Sequence, residues 1–107
     1  MAYDAALAAR VREIFADGGP PVREQAMFGG LAFLVDGKIA VAAMAGGLLV
    51  RAGAARAEEL LQTTGAEPME MGGRTMRGWL HVDGEHLRSG DLLAEWIDIG
   101  IAAAASA

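Results

Sequence analysis

The spacing of apolar residues predicts three helices separated by short strands. The first helix begins after Asp4, a residue type that caps helix N-termini, and ends near Ala16. Pro20 and Pro21 follow. They cannot donate backbone hydrogen bonds, and each disfavours a helical conformation of the residue before it. The apolar positions of this helix recur at helical intervals on one face: Leu7, Val11, Ile14 and Phe15.

Two further helices are predicted later in the chain. The second runs from Ala54 to Thr64 and stops at Gly65. Its apolar side consists of Ala57, Leu60 and Leu61. The third begins at about Ser89 or Asp91, and its alanine-rich end is expected to fray. The residues of this helix expected to face the core are Leu92, Leu93, Trp96, Ile97 and Ile101.

Short apolar runs between the first two helices are separated by pairs of turn residues. Gly29-Gly30 and Asp36-Gly37 both suit two-residue hairpin turns, whose central residues need positive φ. The alternative for Gly29-Gly30 is a phosphate-binding loop, but neither a helix nor a Lys-Ser/Thr pair follows it. Residues 23–51 are therefore predicted to form an antiparallel meander in which these glycines turn the chain.

The strand predicted over residues 38–45, "KIAVAAMA", is apolar on both faces. Alternation places Ile39, Val41, Ala43 and Ala45 on one face and Ala40, Ala42 and Met44 on the other. A strand with two apolar faces is expected in the middle of a sheet. Its alanines indicate close approach by a helix, and the second helix is the candidate.

Residues 68–83 are predicted to form a hairpin, or a loop that leads into a strand. Alternation places Met76, Gly78, Leu80 and Val82 on one face of this strand and Arg77, Trp79 and His81 on the other. The second face carries a cation, an indole and an imidazole, and these groups can contact a binding partner.

The candidate partner-binding surface consists of Arg74, Arg77, Trp79 and His81. An indole flanked by cations can stack on a partner's aromatic ring or bind an acidic segment. The alternative is that Trp79 packs into the core or into a dimer interface, while the arginines pair with acidic neighbours such as Glu67 and Glu70.

The order of elements predicts the fold class. A helix, three or four strands, a helix, one or two strands and a final helix indicate a two-layer α+β domain over residues 1–107. Hairpin-linked strands give an antiparallel sheet with the helices mainly on one face. Because the strands are apolar on both sides, we expect a homodimer that forms through the uncovered face or an edge.

Charge and composition narrow the classes of function. The 107 residues carry a formal charge of -5 with one lysine and eight arginines, which disfavours direct binding to nucleic acid. The sequence has no cysteine, no pattern of a secretory leader and no membrane-length apolar stretch. We therefore expect a cytoplasmic protein with a protein partner and no membrane association.

Few residues could carry chemistry. His81 and Asp83, with the adjacent Glu85 and His86, have spacings that can ligate a metal ion, but there are only two histidines and Asp83-Gly84 suits a turn. No serine or threonine stands in a recognisable nucleophile motif. The sequence thus predicts no catalytic residue, no metal and no cofactor. The alternative is a small-ligand or metal-binding protein that uses the region of Trp79 and His81.

Several stretches together resemble the N-terminal domain of the TfoX/Sxy family. They are "MAYDAALAARVREIF", "MFGGLAFLVDGKIAVAA", "GLLVR" and "PMEMGGRTMRGWLHVD", followed by an amphipathic last helix. The resemblance covers nearly the whole chain and implies a two-layer α+β fold akin to secretion chaperones. The named members are bacterial competence regulators that act as coactivators beside the cyclic AMP receptor protein.

Those regulators carry a second, C-terminal helical domain that this sequence does not match, so the resemblance is to a stand-alone N-terminal domain. Such family-level analogy does not specify a site. The function expected from the residues and the resemblance together is a non-enzymatic protein-interaction module. Its partner is expected to belong to the machinery of transcription or competence regulation.

Overall fold

A computed structural model describes residues 3–27 and 29–107, and within them three helices pack on a six-stranded antiparallel sheet. The elements are α1 (Ala5–Ala16), β1 (Arg23–Met27), β2 (Gly30–Val35), β3 (Lys38–Ala43), β4 (Gly47–Arg51), α2 (Ala54–Thr63), β5 (Glu67–Met71), β6 (Arg74–Asp83), a 3-10 turn (Gly84–Leu87) and α3 (Gly90–Ser106). The predicted α+β class is confirmed.

The strand order across the sheet is β1-β2-β3-β4-β6-β5, and every neighbouring pair is antiparallel. β3 and β4 lie at the centre, as the two apolar faces of β3 predicted. The turn between β2 and β3 has positive φ at both Asp36 and Gly37, 53° and 80°. Two-residue hairpin turns require this geometry.

The helices cover one face of the sheet and form the main core with it. The side chain of Asp4 caps α1 by accepting a hydrogen bond from the Leu7 amide at 3.1 Å. Ser89 caps α3 by accepting one from the Leu92 amide at 3.4 Å. The fully buried large side chains of this core are Val11, Phe33, Val41, Leu48, Val50, Leu80, Val82, Leu87, Leu93 and Ile97.

The helix that approaches the alanine-rich strand is α3, so the expectation that the second helix does so is wrong. A Cβ at Gly100 of α3 would overlap the carbonyl oxygen of Ala40 in β3. α2 instead packs against β6. Sequence distance misled the prediction, because the last helix of the chain returns to the centre of the sheet.

Two expectations for the third helix are also wrong. Leu92 was expected in the core, yet it is 46% exposed, because the helix buries Leu93, Trp96 and Ile97 instead. The alanine-rich end does not fray and remains helical to Ser106. Burial of Ala104 against the core supplies the packing that this segment needs.

The turn ahead of β2 uses only one of its two predicted glycines. Gly29 has a positive φ of 74°, whereas Gly30 is already the first residue of β2. Gly30 is required for space, since a Cβ there would stand 2.7 Å from the carbonyl oxygen of Ala43. Phe28, which belongs to the predicted meander and precedes Gly29, lies outside the described residues.

A bulge in β3 changes the predicted assignment of side chains to faces. Phe33 pairs with Val41 and Leu34 pairs with Ile39, so Ala40 is an extra residue. Ala40 and Val41 therefore both face the helices, while Ile39 lies on the other side. Strict alternation had placed Ile39 with Val41, and that prediction is wrong.

A second irregularity lies in β6. Leu80 pairs with Pro68, and Thr75 pairs with Glu70, so the four residues of β6 between these pairs lie opposite one residue of β5. Gly78, in the irregular segment, has a φ of 88°. Alternation is broken here, so Met76 packs on the face opposite that of Leu80, and the prediction that both share a face is wrong.

In the part of the chain that the structure describes, none of the helices has the length and apolar character needed to cross a membrane.

Gly100→Ala is expected to destabilise the fold by about 1–3 kcal/mol, because its Cβ must push α3 away from β3. The intrinsic helix preference for alanine, about 1 kcal/mol, acts in the opposite direction. Gly90→Ala is the matched control, since no atom lies within 4 Å of the added Cβ. Urea unfolding of both variants measures the difference, and equal stabilities would contradict this account of the α3–β3 contact.

Arg12 of α1 forms two hydrogen bonds with Glu24 of edge strand β1, at 2.6 and 2.8 Å. The hydrogen bond from Arg12 is the main reason why the pKa of Glu24 is lowered. A lowered pKa contributes stability above the unfolded-state value and loses it as pH falls through the folded-state value.

Glu24→Gln is therefore expected to lower the melting temperature slightly at pH 7, because exposed ion pairs contribute little. The gap between variant and wild type should close as pH falls through the acidic range in which Glu24 takes up a proton. Thermal unfolding followed by circular dichroism at a series of pH values tests this, and a gap that widens on acidification would refute it.

Candidate functional site

The candidate site is the face of the sheet opposite the helices, called here the open face. Its apolar cluster contains strand residues and the adjoining Met44, and within the described residues no helix contributes to it. The cluster buries Ala32, Leu34, Ala42, Leu49 and Met69. Five of the six methionines of the sequence lie on it: Met27, Met44, Met69, Met71 and Met76.

Small residues at the centre of the open face are covered by long side chains of their neighbours. Ala32 and Ala42 pair across β2 and β3 and are 0% and 1% exposed, although none of the described helices lies above them. Partly buried Met27 and Met44 belong to the same packed cluster. Methionine is unbranched and flexible, so such a surface can repack around an incoming partner.

Trp79 lies on the open face beneath a cation from the neighbouring strand. Arg51 and Trp79 are directly paired between β4 and β6, and the guanidinium carbon of Arg51 is 4.5 Å from the centroid of the indole ring. Arg51 Nε also donates a hydrogen bond to the Ile39 carbonyl at 2.6 Å. The cation is thereby held over the ring on the sheet surface.

The structure places the four predicted site residues in different surroundings. Arg74 is exposed and pairs with Met71, so it lies on the open face at the end of the β5–β6 hairpin. His81 is half-buried on the same face, opposite both Leu49 and Glu67. The open face therefore carries Arg74 and His81 together with Trp79.

Arg77 lies beside α2. It lines a cavity of about 270 Å³ together with Glu58 and Leu61 of that helix, and Trp79 also reaches this cavity. The cation that covers Trp79 is therefore Arg51, which sequence reasoning missed. The signal was the alternation in "GLLVR", which puts Leu49 and Arg51 on one face, but the pairing of β4 with β6 cannot be read from local sequence.

Charges on the open face are divided between its two ends. Register places Arg23 and Arg51 toward one end, with Arg74 beyond them on the hairpin. It places Glu67 and Asp83 toward the other end. No ion pair joins any of these five side chains to another group within the described residues. The face is thus dipolar along the strands.

Two clefts lie on the helix side. One of about 560 Å³ and one of about 430 Å³ adjoin between α2 and α3 and share Arg56, Asp98 and Ile99. Within residues 3–27 and 29–107, no group of three or more histidine, aspartate or glutamate side chains is close enough to hold a metal ion.

These features define a class: a two-layer α+β protein whose antiparallel sheet has helices on one face and an apolar, methionine-rich surface on the other. The family model of the TfoX N-terminal domain matches residues 13–104. The chain therefore belongs to the TfoX N-terminal domain family. No curated protein and no solved structure matches it significantly.

Arg51→Ala is expected to lower the free energy of unfolding by about 1–2 kcal/mol. The variant loses a cation–π contact of about 0.5–1 kcal/mol and a hydrogen bond of about 1 kcal/mol. The exposed Arg88 supplies the control, since Arg88→Ala should change stability by less than about 0.5 kcal/mol. Urea unfolding measures both. Equal values would show that the Arg51–Trp79 contact contributes nothing to the fold.

Proposed function

We propose that this protein is a non-enzymatic interaction module that binds another polypeptide through the open face. The observation that carries the proposal is the second apolar cluster, which is built from the sheet and has no helix above it in the described residues. A sheet face this apolar is normally packed against another layer. A protein partner can supply that layer.

The side chains of the open face suit this role. Trp79 and Arg51 are of the residue types that dominate binding energy at protein interfaces, and they are stacked on each other in advance. The methionines around them provide an adaptable apolar surface. Pre-formed anchors lower the entropic cost of binding, and flexible surroundings allow a close fit.

Membership of the family supports a role as an accessory in transcription and competence regulation, and we propose that the partner belongs to that machinery. A protein partner fits better than nucleic acid, because the chain is acidic overall and the arginines of the open face share it with Glu67 and Asp83. The absence of cysteine from the sequence agrees with a cytoplasmic location. We also propose that the chain is a homodimer.

Met44→Glu is expected to abolish capture of the partner, because it places a carboxylate within the apolar cluster of the open face. Leu92→Glu is the matched control: it makes the same chemical change at an apolar side chain on α3, which is 46% exposed on the helix side. Tagged wild type and both variants are purified from the source cells, and the co-purifying proteins are identified by mass spectrometry.

The expected result is a protein of the transcription machinery that wild type and the Leu92 variant retain and the Met44 variant loses. Binding of that protein is then measured with purified components, with circular dichroism to confirm that each variant is folded. Loss of the partner from the Leu92 variant alone would place the binding site on the helices and overturn the proposal.

A further inference from the structure

The β4–β6 pair at the centre of the open face has two unlike ends. Its residues on this face form three directly opposed pairs, which in order along the strands are Gly47 with Asp83, Leu49 with His81, and Arg51 with Trp79. Leu48 and Val82, in the alternate positions, face the helices. The three pairs therefore project from one surface.

One end of this surface is bulky and cationic, because the Arg51 guanidinium stacks on Trp79. The other end is anionic. Gly47 has no side chain and cannot acquire one, since a Cβ there would overlap the carbonyl oxygen of Val82. Asp83 is exposed, and within the described residues it has neither an ion pair nor a side-chain hydrogen bond.

A half-turn exchanges these two ends. The axis lies in the plane of the face, crosses the strands and passes through the Leu49–His81 pair. Rotation about it brings the Arg51–Trp79 end of one copy over the Gly47–Asp83 end of the other. The cation then meets the carboxylate, twice by symmetry.

We propose that two copies of this chain associate face to face in this antiparallel orientation, with Arg51 of each copy paired to Asp83 of the other. The inference rests on the proposed function and names a second copy as an occupant of the open face, which competes there with the heterologous partner. It gives an isologous interface, in which the same patch serves both subunits and closes the assembly. The helices remain on the outside of a two-sheet sandwich.

Most of the rest of the face brings apolar side chains together in this orientation, but Glu67, which lies opposite His81 and therefore on the axis, meets Glu67 of the other copy. The rotation places Met44 of one copy over Ile39 of the other, and Met27 of one copy over Arg23 of the other. Methionine side chains can fill the irregular space between two twisted sheets. The other simple half-turn, about an axis parallel to the strands, would instead gather both Arg51 side chains at one end and both Asp83 side chains at the other, and neighbouring like charges disfavour it.

The test uses two charge reversals, Asp83→Arg and Arg51→Glu. Either one alone makes both symmetric contacts repulsive, so each variant is expected to raise the dimer dissociation constant by about tenfold or more. Mixed together, the two variants can form a heterodimer in which both contacts are attractive. Sedimentation velocity is expected to show monomers for each variant alone and dimers for the equimolar mixture.

Arg51→Glu also removes the contact with Trp79, so circular dichroism must first show that it folds. If it does not, Arg51→Met replaces it: this variant keeps the apolar stem, and its heterodimer with the Asp83 variant retains one attractive contact and has no repulsive one. The expected result is again more dimer in the mixture than in the Asp83 variant alone.

A cysteine provides a second readout of the geometry, because the sequence has none of its own. His81→Cys stands at the proposed axis, and packed sheets lie about 10 Å apart, so a short bismaleimide should join two copies. Arg88→Cys, on the helix side, is the control and should not be joined at the same protein concentration.

Three outcomes would overturn the proposed dimer. They are a monomeric wild type, dimers that survive both charge reversals, and cross-linking of the Arg88 variant without cross-linking of the His81 variant. These outcomes are separable from failure of the proposed function. If Met44→Glu still loses a heterologous partner while wild type is monomeric, the open face binds that partner instead of a second copy.

Discussion

The structure depends on one constraint: the central strands of the sheet are apolar on both faces, while the helices cover only one. α3 packs closely on β3, where Gly100 meets the backbone of Ala40. That contact closes the main core. The residues on the other side of the same strands, such as Ala42 and Leu49, are also almost fully buried, and their cover must come from the sheet itself.

The sheet provides that cover with long, flexible side chains and one fixed pair. Methionines pack around the small central residues, while Arg51 is held over Trp79 by the Ile39 carbonyl. The bulge at Ala40 helps to create this arrangement, because it turns Ile39 toward the open face. The result is a surface with rigid anchors and adaptable surroundings, a combination suited to binding a protein.

Family membership alone does not give a mechanism for this protein. The chain belongs to the TfoX N-terminal domain family, and that membership does not assign a role to any single residue. What distinguishes the open face is its chemistry: its apolar cluster contains five methionines, and its charges are divided between two ends. A proposal about function therefore rests on those side chains and on the face they share.

The sequence by itself determined the elements, the antiparallel connections and the apolar character of both sheet faces, because helix periodicity, caps and turn residues are local signals. It also identified Trp79 and His81 as neighbours on one face. It could not place Arg51 on Trp79, since that contact requires β4 to pair with β6 across an intervening helix. It also misplaced Ile39 and Met76. A bulge breaks the alternation of side chains between faces, and its position depends on how a strand pairs with its neighbour. Tertiary structure alone decided which other side chains join Trp79 and His81 on the open face.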